Sequence, residues 1–196
     1  MASERETSAA ILVEFPEMEK SFDSFFVKIN GGEIHKGEVL AVMGANGLGK
    51  STFLKMLSGE IVPDKGQVDK LNVVLKEQYP DPNIGGTVGE WLRNTAGEKF
   101  SSGWYRHNIL EKLGLGKVMD NEVCTLSGGE LQKFYVALTL SKDAEVYAFD
   151  EPSAFVDVED RLMVAEVIKD FITKNEVCAV VVDLSLIHIS EPTRPY

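Results

Sequence analysis

An α/β domain built on a mostly parallel sheet is the fold class this sequence predicts, and three observations predict it. A short apolar run, Val39-Leu40-Ala41-Val42-Met43, leads through a glycine-rich turn into a helical pattern over 50–57. A second run, Glu145 to Phe149, ends on two adjacent carboxylates and is followed by helical spacing over 158–174. A third, over 177–182, is rich in β-branched residues and reads as a buried strand. Strands that alternate with helices imply parallel pairing, with functional loops at the strands' carboxyl ends.

In chain order, 39–43 is a strand and Lys50 to Leu57 a helix. Leu71 to Lys76 is the next strand, carrying Gln78 at its end, and two short helical stretches near 88–93 and 105–113 fill the middle. Leu131, Phe134, Tyr135 and Leu138 recur at i, i+3, i+4 and i+7, one face of a helix. Strand, helix and strand over 145–182 close the order, with no internal repeat or linker inside 20–183.

Composition narrows the function classes. With 196 residues, 44% of them hydrophobic and 26% charged, the chain suits one globular domain that buries roughly 70% of its unfolded surface, which argues against disorder. No apolar run reaches membrane-spanning length, and MASERETSAA lacks the basic and apolar regions of a signal peptide, so a cytoplasmic protein is expected. A net charge of −11 argues against a surface that binds nucleic acid directly. Cys124 and Cys178 stand alone, without a CxxC pair or neighbouring histidines, and are expected to be two buried free thiols.

Three motifs carry chemistry. Gly44-Ala-Asn46-Gly47-Leu-Gly49-Lys50-Ser51 fits G-x-x-x-x-G-K-[ST] between a strand and a helix, the context a P-loop requires. Its backbone N–H groups and the helix N-terminus face phosphate oxygens, Lys50 reaches the β and γ phosphates, and Ser51 ligates Mg²⁺. Tyr147-Ala-Phe-Asp150-Glu151-Pro152 brings two carboxylates to a strand's end. There Asp150 joins the Mg²⁺ shell and Glu151 polarises an attacking water. Leu126-Ser127-Gly128-Gly129-Glu130 is a capping box in which two glycines clear the way for a phosphate at a helix N-terminus.

LSGGE between a P-loop and DEP resembles the signature of the ABC ATPases, 49 residues after Gln78 and 23 before Asp150. Adenylate kinases and GTPases share the P-loop but not LSGGE, and the NKxD of GTPases is absent. Within that group, DEPSAFVD with EDRLM after it, FPEMEKSFDSFFVKINGGEIHKGEVLAVMG and EQYPDPNIGGTVGEWL are similar to the second nucleotide-binding domain of the ABC-E family, the ribosome-recycling ATPases of archaea and eukaryotes. The resemblance implies a P-loop NTPase fold of ABC type over 11–183, with a helical subdomain near 79–141 and a hinge remnant or tail over 1–10. It also implies ATP and Mg²⁺ as cofactors, and as partners a second ABC domain and a ribosomal subunit, with no membrane contact predicted.

Carried over position by position, the resemblance makes Phe22 the aromatic that stacks on adenine, where the family usually has Tyr; its other reading is a core phenylalanine beside Phe25 and Phe26. Gln78 becomes the Q-loop glutamine that touches Mg²⁺ and water, and Asp157 the acid facing the partner domain. Thr52 follows Ser51 in the nucleotide cradle. Ser127, Gly128 and Gly129 serve the nucleotide held by the partner's P-loop, so one chain supplies two half-sites and completes neither. His35 and His107 match no motif and are expected to be solvated or locally bonded.

After Asp183 the family has a switch histidine, where this chain has Leu184; His188 comes four residues later. Residues 184–194 back-translate without a break to a sequence that resembles the transposon end and adapter used in preparing sequencing libraries, so 184–196 is expected to be a non-native tail. The start also reads as internal, because in the family this domain follows an iron–sulfur domain and a first ATPase domain. The expected function is ATP hydrolysis coupled to ribosome splitting. The alternatives are a nucleotide-binding subunit of an ABC transporter and another non-transport ABC protein, although the interval from Gln78 to Ser127 leaves no room for long coiled-coil insertions.

Overall fold

The computed structural model describes residues 10–42 and 48–183. Its centre is a four-stranded parallel sheet ordered β5 (Val39–Ala41), β8 (Cys178–Val182), β7 (Val146–Asp150), β6 (Val73–Lys76). Every residue of β7 and β8 is buried, which is why β8, and β7 up to its closing Asp150, read as apolar runs rather than alternating ones. Side chains on a strand point to opposite faces in turn, so these two strands feed two cores.

On one face, Val146 and Ala148 with Cys178, Val180 and Val182 pack against Phe53, Leu54 and Leu57 of helix α1 (Leu48–Ser58). Completing that core are Val13, Phe15, Met18, Val27 and Ile34 from four N-terminal strands, β1 (Ile11–Phe15), β2 (Met18–Ser21), β3 (Phe26–Ile29) and β4 (Gly32–His35). They pair antiparallel as β1 with β4 and β2 with β3. The sequence reading did not anticipate them, because ILVEF, MEKS, FVKI and GEIH mix apolar with charged residues over four or five positions and form neither an apolar run nor a long alternation.

On the other face, Tyr147, Phe149, Ala179 and Val181 meet α2 (Val88–Ala96), α4 (Gly128–Ser141) and α5 (Val158–Asn175), together with Ile109, Leu110 and Leu113. The stretch expected as one helix over 105–113 is α3 (Gly103–Tyr105) followed by wider π-type turns over Arg106–Glu111. Helix α4 departs from its expected single face. Phe134 and Leu138 are buried and Leu131 and Tyr135 only partly so, while Gln132, Val136, Ala137 and Leu140 are buried too. The helix lies between the sheet and the surrounding helices, so tertiary packing covers more of it than one apolar stripe.

The other expected elements are present with small shifts: the strand read from Leu71 starts at Val73, and the helix read from Lys50 starts at Leu48. The two thiols differ from expectation. Cys178 is buried in β8, but Cys124 is exposed on the turn Val123–Thr125, outside both cores. His35 contacts Glu38 and Glu33, and His107 contacts Glu111, local pairs as expected. The tail from Leu184, with His188, lies outside the described residues, as do residues 1–9.

Candidate active site

The carboxyl ends of β6 and β7 and the start of α1 converge. Because α1 begins at Leu48, Gly49, Lys50, Ser51 and Thr52 form its first turn, which holds no acidic side chain. A helix N-terminus directs its leading backbone N–H groups outward and its dipole is positive there, a combination that favours anions. Gly44, Asn46 and Gly47 lie outside the described residues. Ser51 Oγ donates a 2.6 Å hydrogen bond to Asp150 Oδ2 across 99 positions of sequence. Asp150 is the last residue of β7 and only 6% exposed.

Glu151 leaves the strand with φ of 46°, in the left-handed region. A non-glycine residue there costs about 1–3 kcal/mol, and the 2.6 Å bond from Glu151 N–H to the Val182 carbonyl helps hold it. The turn aims the carboxylate at the neighbouring strand end, where Gln78 Nε2 donates to Glu151 Oε2 at 3.2 Å. Sequence reasoning named Ser51, Asp150, Gln78 and Glu151 separately; the sheet brings them together as two bonded pairs.

Residues that the motifs did not single out complete the polar cluster. Lys76 ends β6 almost fully buried, and its Nζ donates to the Glu77 carbonyl at 3.0 Å. Burial pushes its ammonium down to about 8, against the opposing pull of Asp150, Asp183 and Glu151. Gln132 Nε2 donates to the Gln78 carbonyl at 3.1 Å. Ser153 donates through both N–H and Oγ to Asp183 Oδ2, joining the loop after β7 to the end of β8. The available signal for Lys76 was an ionisable residue closing an apolar strand; for Gln132 it was an amide inside an apolar helix.

Ser127 caps α4 as the sequence implies: its Oγ accepts from Glu130 N–H at 3.2 Å while Glu130 accepts from Ser127 N–H at 2.9 Å. Hydrogen bonding from Ser127, its backbone N–H above all, holds the Glu130 carboxyl below the ordinary range. Behind the cap, Gly128 and Gly129 lie against Phe155, and a Cβ on Gly129 would come 2.9 Å from the Phe155 carbonyl. The glycines therefore let α4 approach the loop after β7 as well as clearing its own N-terminus. Asp157 is exposed just before α5, and the apolar side chains of Phe155, Val158 and Leu162 are exposed beside it. Phe22 is half-buried and stacked on Phe25, ring centroids 4.4 Å apart, while Phe26 is exposed.

The donor set near Asp150 is oxygen chemistry: a hydroxyl, a carboxylate and the Gln78 amide. Among the described residues no group of three or more His, Cys, Asp or Glu could hold a metal unaided. This fits Mg²⁺ held by one or two protein oxygens plus phosphate and water, not an all-protein cage.

Residues 28–154 match the protein family described as ABC transporter. The chain is 43% identical over 176 residues to an uncharacterized ABC transporter ATP-binding protein of Methanocaldococcus jannaschii, covering 88% of this chain and 29% of that protein. It is 33% identical over 162 residues to ABC transporter E family member 3 of Arabidopsis thaliana, covering 79% of this chain and 90% of that one. The crystal structure of the archaeal ribosome recycling factor aABCE1, in complex with the ribosomal stalk protein aP1, matches with a TM-score of 0.89 at 41% identity, covering 96% of this chain and 37% of that chain. The chain spans under a third of the length of the first curated relatives it matches.

Proposed function

The chain belongs to the ABC family and, within it, to the E family, and from that membership we propose that it binds Mg²⁺-ATP and hydrolyses it on closing head-to-tail against a second ABC domain, in the service of ribosome recycling. The observation that carries the reading is the 2.6 Å bond between Ser51 and Asp150, which joins the two phosphate-site motifs at one strand end. Lys50 and the N–H groups of the first turn of α1 take the β and γ phosphates. Ser51 and Asp150 would hold Mg²⁺, which would supply charge neutralisation at the phosphate oxygens.

Glu151 polarises the attacking water and Gln78 orients it. As the water oxygen bonds to the γ phosphorus, the bond to the ADP oxygen breaks and a proton passes toward Glu151. Ser127, Gly128 and Gly129 close on the partner's nucleotide, and Phe22 stacks on the adenine of this chain's own. Three exposed apolar side chains beside Asp157 support a covered face there. We read 11–183 as the ABC domain and 79–141 as its helical part. The ribosomal reading rests on aABCE1, a ribosome recycling factor bound to a stalk protein in the structure compared above. No helix among the described residues is long and apolar enough to cross a membrane.

The test uses a full-length protein carrying this domain. Lys50→Ala is expected to weaken ATP binding by more than about tenfold without unfolding the domain. Glu151→Gln is expected to keep ATP bound and stop turnover. Parental ATP affinity in the first variant, or parental turnover in the second, overturns the assignment.

A further inference from the structure

Two buried polar side chains converge on the turn that carries Gln78, and the chemistry above uses neither. Lys76 is 2% exposed, donates to the Glu77 carbonyl at 3.0 Å and approaches the Asp150 carbonyl at 3.5 Å. Gln132, also 2% exposed, donates at 3.1 Å to the next carbonyl, that of Gln78. The other end of its amide, Oε1, is the buried side-chain polar atom left without a partner among the described residues.

Burying these groups works against stability. A desolvated ammonium and an unpaired amide oxygen both disfavour the folded state, and apolar side chains of the same length would avoid the cost. What the two side chains accomplish is geometric. They hold successive carbonyls, residues 77 and 78, from separate elements, one from β6 and one from α4. The turn fixed in this way presents Gln78 Nε2 to Glu151 at 3.2 Å. Gln132 also lies about one helical turn after Gly129, on the helix that starts at the Ser127 cap. A rigid shift of that helix end therefore moves the donor that holds Gln78.

We propose that Gln132 and Lys76 are positioning residues for hydrolysis: a buried clamp that fixes the Gln78 turn, sets the Gln78–Glu151 contact and ties it to the Ser127–Gly129 end of α4. The clamp rests on the reading of Gln78 and Glu151 as the pair that handles water.

Gln132→Met and Lys76→Met, each alone and combined with Gln78→Ala, separate this role from plain structural support in the full-length protein. In Gln132→Met and Lys76→Met alone, ATP affinity without turnover is expected to stay within about threefold of the parent, because the Lys50 cradle is untouched, while kcat falls by more than about tenfold. In the Gln78→Ala background the added loss from Gln132→Met is expected to be below about twofold, since Gln132 acts through Gln78. Without nucleotide, amide exchange over 77–79 is expected to quicken in Gln132→Met and not in β1 or β4. Gln132→Asn keeps a buried amide but withdraws it by one methylene; the same losses are expected from it, and it serves if Gln132→Met folds poorly. Parental kcat, a fully multiplicative loss in the double variant, or unchanged exchange over 77–79 overturns the clamp. Failure of the unsubstituted protein to bind or hydrolyse ATP would instead overturn the function proposed above, and the nucleotide-free exchange comparison would still test the clamp.

Discussion

Cys178 and Cys124 have the same side chain and opposite surroundings. Burial in β8, with Glu38 and Glu145 nearby, pushes the Cys178 thiol up to about 12, while Cys124 is exposed on its turn. The thiolate is the reactive form, so an aromatic disulfide reagent at neutral pH is expected to modify Cys124 in the folded protein and Cys178 only after unfolding. Titration supplies a second readout. Below the ordinary thiol range both folded and unfolded chains keep the Cys178 proton; above it the unfolded chain loses the proton first. Stability should therefore fall as pH rises from the ordinary thiol range toward 12. Denaturant melts of parent and Cys178→Ala across that range should show a pH-dependent component in the parent that the variant lacks.

At the scale of elements, the contact between α4 and the loop after β7 decides how the signature glycines are used. A Cβ on Gly129 meets the Phe155 carbonyl at 2.9 Å, whereas one on Gly128 meets the Phe155 Cβ at 3.3 Å. The carbonyl belongs to a residue already held at φ of 62°, so the backbone has little room to yield. Gly129→Ala is expected to destabilise by about 1–3 kcal/mol, and Gly128→Ala by less, despite alanine's higher helix propensity. Ser127→Ala removes the cap and should cost about 1 kcal/mol. Denaturant melts of the three variants check the order; equal stability of the two glycine variants would mean that the loop moves aside freely.

For the whole molecule, an exposed apolar strip connects stability to pairing. Val158 and Leu162 lie four residues apart on α5 and are 75% and 53% exposed, beside Phe155. Charging them should change the stability of the domain by no more than about 0.5 kcal/mol, because neither contributes to a core. A face covered by a second ABC domain would not tolerate the change. Val158→Glu with Leu162→Glu in the full-length protein is expected to keep ATP affinity within about threefold and lower turnover by more than about tenfold. Unchanged turnover would place the pairing surface elsewhere.

What the sequence determined by itself is whatever local spacing encodes. The P-loop, DEP and LSGGE each lie within a few consecutive residues, and β7 and β8 announce themselves because strands buried on both faces are mostly apolar, with Asp150 the exception at the end of β7. The capping box of α4 was legible for the same reason, since its two bonds join residues three apart. Only the tertiary structure decided which separated residues meet. The Ser51–Asp150 bond spans 99 positions, Gln78–Glu151 spans 73 and Gln132–Gln78 spans 54. It also decided that Cys124 stays in water, that α4 is buried well beyond one face, and that four short N-terminal strands close a core. Each of these depends on burial and contact between distant segments, set by the order in which strands join the sheet, and no local spacing records that order.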